Sequence, residues 1–234
     1  MLSPEDISLR CIPRVCLWVI FLVLTSFSPG EAPQAADRTF PPLQNGDLLF
    51  QAEGNSEFSG AISSATAGKD SLSFVHVAIL YLHDGKEEII EASPDAGVRV
   101  ITLGQFLRES PKIMGKPAVV AKRLKKAFSP DEAVDRALSC LGQPYDWYFL
   151  PDNGMMYCSE LVYESYLSKD SESGEDTHIF SATPMNFRDR DGNMPRFWID
   201  LYSRLGMEVP EGMPGTNPNG LFHDQNLIEL FRFF

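Results

Sequence analysis

The chain has 234 residues, is 44% hydrophobic and carries a formal charge of −12. That length and apolar content support one sizeable core, as a single domain or a domain with a decorated tail. The acidic balance excludes a sequence-independent grip on nucleic acid, whose phosphates need a basic face. The only basic cluster, Lys122-Arg123-Leu124-Lys125-Lys126, reads as a solvated strand end and loop.

In chain order, Arg10 and Arg14 precede an apolar run from Val15 to Phe27, which Ser28-Pro29-Gly30 breaks before small residues ending at Ala35-Ala36. Basic flank, short apolar run and small residues read as a secretory signal over 1–36, too short for a comfortable membrane span. An uncleaved anchor is the alternative. The mature chain, 37–234, is then a single domain with a core over about 44–170 and a C-terminal extension over 171–234. Removing 1–36 takes away two arginines and three acids, so the charge becomes −11. Export leaves Cys140 and Cys158 in an oxidising compartment, where pairing would silence either thiol. Cys140 falls in the periodicity of Ala133, Val134, Ala137, Leu138 and Leu141 and reads as a buried helix residue.

Asn45-Gly46 predicts a turn, and Asp47 to Gln51 a first strand. A loop and short helix follow, with Phe58, Ile62 and Ala65 near helical spacing. Phe74 to Tyr81 is a strand of almost unbroken apolar character, turned at His83-Asp84-Gly85-Lys86 into a return strand from Glu87 to Ala92. After Asp95-Ala96-Gly97 comes Val98 to Ile101, and Thr102 caps a short helix containing Phe106 and Leu107. Ala118 to Arg123 is the next strand. Ser129-Pro130-Asp131-Glu132 has the parts of a helix start, with Ser as cap, Pro at the first position and acids in the first turn, and that helix stops at Gly142. The loop Gln143 to Met156 leads into a helix over 157–167. Past Asp170, Ser171 to Thr177 reads as a polar loop, Phe197 to Leu205 as helical, and Glu208 to Asn219 as a Pro/Gly-rich connection before the apolar end Leu227 to Phe234. The class is α+β, a barrel-like antiparallel sheet packed against helices.

The 157–167 helix places Cys158 at its first turn. Leu161, Val162, Leu167, Tyr163 and Tyr166 recur at three- and four-residue spacing, with Glu160 and Glu164 on the wet side. Unpaired N–H groups and the positive end of the macrodipole favour a thiolate there, although a cysteine in apolar company is more often a small core residue. His76, between Val75 and Val77 inside a strand, supplies a base for it; a buried imidazole is costly unless paired. His83, His178 and His223 lie in turns or polar loops, and the four histidines show no metal-ligand spacing. Folding about Asp84-Gly85 pairs positions whose numbers sum to about 168 to 170, which puts Glu91 near His76 on the return strand. A buried acid beside a buried histidine is what an orienting carboxylate requires.

The ordered set GDLLF (46–50), FVHVAILY (74–81), IIEASPDAGV (89–98), QPYDW (143–147) and YCSELVYESY (157–166) resembles the YiiX-like group of NlpC-type cysteine hydrolases. That group has a circularly permuted papain-like fold in which His and its partner precede Cys, and lecithin retinol acyltransferase is a more distant relative. The resemblance covers about residues 46–166. It implies Cys158 as nucleophile, His76 as general base and then acid, and Glu91 as orienter. It further implies Tyr145 and Tyr157 at the substrate and oxyanion position, beside the Cys158 backbone N–H. Many unpermuted relatives carry an acid directly before the nucleophile in a DCSG pattern. Here Tyr157 stands there, which separates this chain from their cell-wall peptide specificity more than from their thiol chemistry.

The expectation is an exported cysteine hydrolase, secreted or periplasmic, that cleaves an amide in a small, cell-wall-derived peptide through an acyl-thioester, with no metal or organic cofactor. Acyl transfer or ester hydrolysis on a lipid is the rival chemistry. A catalytically silent envelope binding module, betrayed by a Cys140–Cys158 disulfide, is the rival without chemistry.

Overall fold

The computed structural model describes residues 41–66, 72–125, 129–170 and 173–234. The expected signal over 1–36 lies outside them. The elements are β1 (Leu48–Ala52), α1 (Glu57–Thr66), β2 (Phe74–His83), β3 (Lys86–Ser93), β4 (Gly97–Thr102), α2 (Leu103–Glu109), β5 (Lys112–Ile113), β6 (Lys116–Pro117), β7 (Val119–Leu124), α3 (Pro130–Ser139), α4 (Cys158–Ser165), β8 (Leu167–Lys169), β9 (Asp176–His178), β10 (Thr183–Pro184), α5 (Arg196–Leu205), β11 (Pro214–Gly215), α6 (Pro218–Phe222) and β12 (Leu227–Arg232).

Six strands form one antiparallel sheet in the order β12-β7-β1-β2-β3-β4. Its hydrogen bonds run from edge β12 to edge β4 without closing, which refines the barrel-like expectation to an open sheet. The β4 edge is met by the chain that leads towards α4: Val98 donates to the Gln143 carbonyl, and Gly142 donates back to Val98. Only glycine fits at 97 there. Its φ is +67°, and a Cβ would lie 2.1 Å from the Gln143 oxygen.

Both faces of the sheet are covered, which explains the unbroken apolar run of β2. Leu48, Phe50, Val77, Ile79, Ile90 and Val120 pack under α3, α4 and α6, while Leu49, Ala78, Leu80, Ile89 and Ala121 pack against Phe106 of α2. The predicted caps form. Thr102 accepts the Gln105 N–H, and Ser129, followed by Pro at the first helical position, accepts the Glu132 N–H.

Several local expectations are corrected. The helix of Cys158 ends at Ser165, where Arg136 of α3 donates to the Ser165 and Leu167 carbonyls and the chain turns into the β8–β9 hairpin in place of a plain polar loop. Cys140 is the half-buried C-cap of α3 rather than a buried interior residue. The basic run is solvated only in part: Lys125 is exposed and Lys126 lies outside the described residues, but Lys122 is buried, with its ammonium donating to the Phe222 carbonyl and lying over the Phe222 ring. Arg123 forks onto Asp47 at 2.6 and 2.7 Å.

The chain beyond Asp170 supplies sheet as well as cover. β12 pairs with β7, and α6 reaches the strand that carries His76: the Asn219 side-chain oxygen accepts the Phe74 N–H at 2.7 Å, and its amide donates to Thr66 at 2.8 Å. Replacing Asn219 by Ala leaves a buried backbone donor without a partner. We expect Asn219→Ala to lower the unfolding free energy by about 2 kcal/mol, measured by urea denaturation; a midpoint equal to the wild type's would show that this bond does not hold β2.

Candidate active site

α4 begins at Cys158, with Tyr157 as N-cap, so Cys158 occupies the first helical position, where backbone N–H groups have no partner within the helix. Three fastenings fix the helix. The Tyr166 hydroxyl donates to the Gly46 carbonyl at 2.6 Å, the Tyr157 hydroxyl accepts the Thr216 N–H at 3.1 Å, and the Glu160 carboxyl accepts the Tyr157 N–H at 3.3 Å. Glu160 is therefore buried at the helix entrance, not on the wet side, and burial first of all raises its pKa to about 8.

His76 sits beside an irregularity of β1 and β2. Gln51 pairs with His76 but Ala52 pairs with Phe74, so Val75 is skipped. Such a bulge bends the strand and re-aims its side chains. β2 and β3 pair with Ile79 opposite Ile90, a register sum of 169, which carries Glu91 to the His76 ring. His76 Nε2 and Glu91 Oε2 are 2.6 Å apart, with side-chain exposures of 14% and 5%. The Cys158 thiol hydrogen-bonds the same ring.

The electrostatics follow from this contact set. Burial by itself would lower the His76 pKa, but the hydrogen bonds of Cys158 and Glu91 and the charge of Glu91 outweigh it and raise the ring to about 10. Burial likewise pushes Glu91 up, yet its bonds and charge pairing with His76 and Arg99 hold it below the ordinary carboxylate value. Arg99 lies directly opposite Glu91 on β4 and donates from Nε at 2.9 Å and Nη2 at 2.7 Å to Glu91 Oε1; Nη2 is also 3.5 Å from Glu109 Oε2. The sequence reading gives Arg99 no role. The signal was available, since continuing the hairpin about Asp95-Ala96-Gly97 pairs 91 with 99.

Tyr145 is brought to the site by a folded loop: Asp146 donates to the Met156 carbonyl, Met156 to Pro144, and the Asp146 carboxylate accepts the N–H groups of Tyr148 and Leu150. Burial above all, then the charge of Cys158, keeps the Tyr145 phenol protonated and a donor. Two cavities meet here. One, of about 370 Å³, contains His76, Glu91, Arg99, Asp95 and Gln51; the other, of about 50 Å³, contains Cys158 with Phe149, Met185, Phe187 and Trp198. Tyr145 lines both. Tyr157 lines the second, but its hydroxyl is tied to the Pro214–Thr216 segment, so it stands as a wall against the C-terminal part of the chain. A Cβ on Gly215 would come within 2.9 Å of that hydroxyl.

The family described as "Permuted papain-like amidase enzyme, YaeF/YiiX, C92 family" matches residues 42–231. The chain belongs to this family. The chain is 26% identical over 191 residues to the uncharacterized protein YiiX of Escherichia coli K12, covering 80% of this chain and 85% of that one. It also superposes on the crystal structure of "metalloprotein yiiX" from Escherichia coli O157:H7 with a TM-score of 0.63 at 24% identity, over 81% of this chain and 97% of that one, which bears on fold alone. The word metalloprotein belongs to that protein. Among the described residues here, no group of three or more His, Cys, Asp or Glu side chains is placed to hold a metal ion.

The raised His76 pKa has a consequence for stability. A group that binds its proton more tightly when folded stabilises fully below its unfolded value of 6.5, and that contribution is lost as pH rises through about 10. Glu91, held low, acts in the opposite sense: its contribution is present above the ordinary carboxylate value and lost as pH falls through the folded one. We expect the melting-temperature gap between wild type and His76→Asn to be widest below pH 6.5, above the ordinary carboxylate range, and to shrink as pH rises from there towards about 10; a gap that stays constant across alkaline pH would contradict the paired imidazolium.

Proposed function

We propose that this chain is a thiol amidase in which Cys158 is the nucleophile, His76 the general base and acid, and Glu91 the orienter. The observation that carries the reading is the His76 ring held between the Glu91 carboxylate at 2.6 Å and the thiol at the start of α4. In the first step the Cys158 thiol gives its proton to His76 and its sulfur attacks the amide carbon, while the oxyanion is met by the N–H groups at the amino end of α4 and by the Tyr145 hydroxyl. As the C–N bond breaks, the His76 imidazolium gives its proton to the departing amine and an acyl-thioester remains on sulfur. Water then attacks that carbon while His76 takes its proton, the C–S bond breaks, and the carboxylic acid leaves. Cys140 and Cys158 are both free thiols, which favours an enzyme over a silent binding module.

The polar walls of the larger cavity favour a small peptide amide as substrate, with cell-wall-derived peptides as the class proposed. The domain would be 37–234 and its place of work outside the cytoplasm, with 1–36 as export signal. A second reading, hydrolysis or transfer of an acyl group carried on a lipid, is favoured by the apolar pocket against Cys158 formed by Ile62, Phe149, Phe187 and Trp198.

We expect wild type incubated with a panel of peptide amides and lipid esters to accumulate an acyl adduct on Cys158, seen by intact mass. Turnover in Cys158→Ala should fall by about a thousandfold or more, with His76→Ala comparable because the two act as a unit. Unchanged hydrolysis in Cys158→Ala removes that sulfur from the mechanism. Adducts from esters alone would choose the lipid reading.

A further inference from the structure

We propose that Arg99 is a positioning residue for the thiol chemistry: its guanidinium grips one oxygen of Glu91 through two hydrogen bonds so that the other oxygen is held on His76 Nε2. The proposal rests on the Cys158–His76–Glu91 reading and extends it by one residue.

A carboxylate beside an imidazole has two equivalent oxygens and a softly turning terminal torsion, so a single bond to the ring leaves its plane poorly defined. Here the two oxygens are divided. Oε2 goes to His76, and Oε1 receives both Nε and Nη2 of Arg99, at 2.9 and 2.7 Å. Two donors converging from one rigid, planar group fix the direction from which that oxygen is held, which a lysine ammonium, a point charge on a flexible stem, would not do. The guanidinium is itself supported, since Glu109 at the end of α2 lies 3.5 Å from Nη2 and is held in turn by Gln105 at 2.8 Å. Arg99 and Glu91 are direct cross-strand partners, so the grip is set by backbone register rather than by a chance surface encounter.

Among the described residues, the charged and titratable groups around this carboxylate come from several elements. His76 faces it from β2 and Arg99 from β4. Glu109 of α2 faces Arg99, Asp95 in the β3–β4 turn and Tyr145 line the same cavity, and Cys158 of α4 lies beyond the His76 ring. This arrangement gives the proposal a sign. If Arg99 acted only as a nearby positive charge, removing it would make His76 easier to protonate, because one repelling neighbour is gone. If Arg99 holds Glu91 in place, removing it loosens the Glu91–His76 bond, and His76 gives up its proton more readily.

The test is a pH titration of the His76 ring by NMR in the full chain with 15N-labelled histidine, the resonance assigned by its loss in His76→Asn. Wild type should hold the proton well above the ordinary histidine value. Arg99→Gln should titrate about one pH unit lower, Arg99→Lys should lie between the two, and Arg99→Gln should add nothing in a Glu91→Gln background. A titration in Arg99→Gln that is unchanged or moved upward overturns the positioning role. Should Arg99→Gln fail to fold, Arg99→Lys is decisive: a downward move supports the proposal, and a curve equal to the wild type's overturns it. Wild-type His76 titrating at its ordinary value would sink the Cys158–His76–Glu91 reading itself, which the Arg99 result alone cannot do.

Discussion

The 2.6 Å contact between His76 and Glu91 is the interaction around which the molecule is arranged. An imidazole and a carboxylate with exposures of 14% and 5% would each be costly alone, because removing a charge from water is offset only by a close partner and a full set of hydrogen bonds. The sheet meets that requirement with two adjacent antiparallel pairings. β2–β3 brings acid to base, and β3–β4 brings Arg99 to the remaining acid oxygen. A one-residue slip of β3 against β2 would turn Glu91 away from His76, and one of β4 against β3 would turn Arg99 away from Glu91.

The permuted order of the chain has a structural consequence. His76 and Glu91 are laid down early, on interior strands of the sheet, and Cys158 arrives later on a helix that must be docked against them. Docking relies on fastenings distant in sequence: Tyr166 to Gly46, Tyr157 to Thr216, and Arg136 to the end of α4. The segment beyond Asp170 takes part at both ends. Asn219 holds the start of β2, two residues before His76, while Met185, Phe187 and Trp198 wall the pocket on the Cys158 side. Its last strand, β12, completes the sheet edge through β7.

Much of this was legible in the residues. Helix starts with a hydroxyl cap, the Asp-Gly hairpin and the continuous apolar strand depend on local backbone preference and short-range periodicity, and each formed within a residue or two of expectation. The charged residues read least well. Glu160 and Lys122 read as solvated positions in the sequence and are buried, Glu160 because its carboxyl receives an N–H at the entrance of α4 and Lys122 because the distant Phe222 carbonyl and ring receive its ammonium. Arg99 shows no role along its own strand, because its partner lies across the sheet.

By itself, the sequence determined the α+β class, the helical setting of Cys158, and the nearness of Glu91 to His76, because turn chemistry and strand alternation act over a few residues and fix hairpin register. Tertiary structure decided the rest: that sulfur meets ring, that the sheet stays open with the chain before α4 along one edge, that Arg99 divides the Glu91 oxygens, and that the C-terminal segment walls the pocket. Those contacts join residues tens of positions apart, and they are set by how layers pack and which buried polar groups must find partners, information that no local window of residues contains.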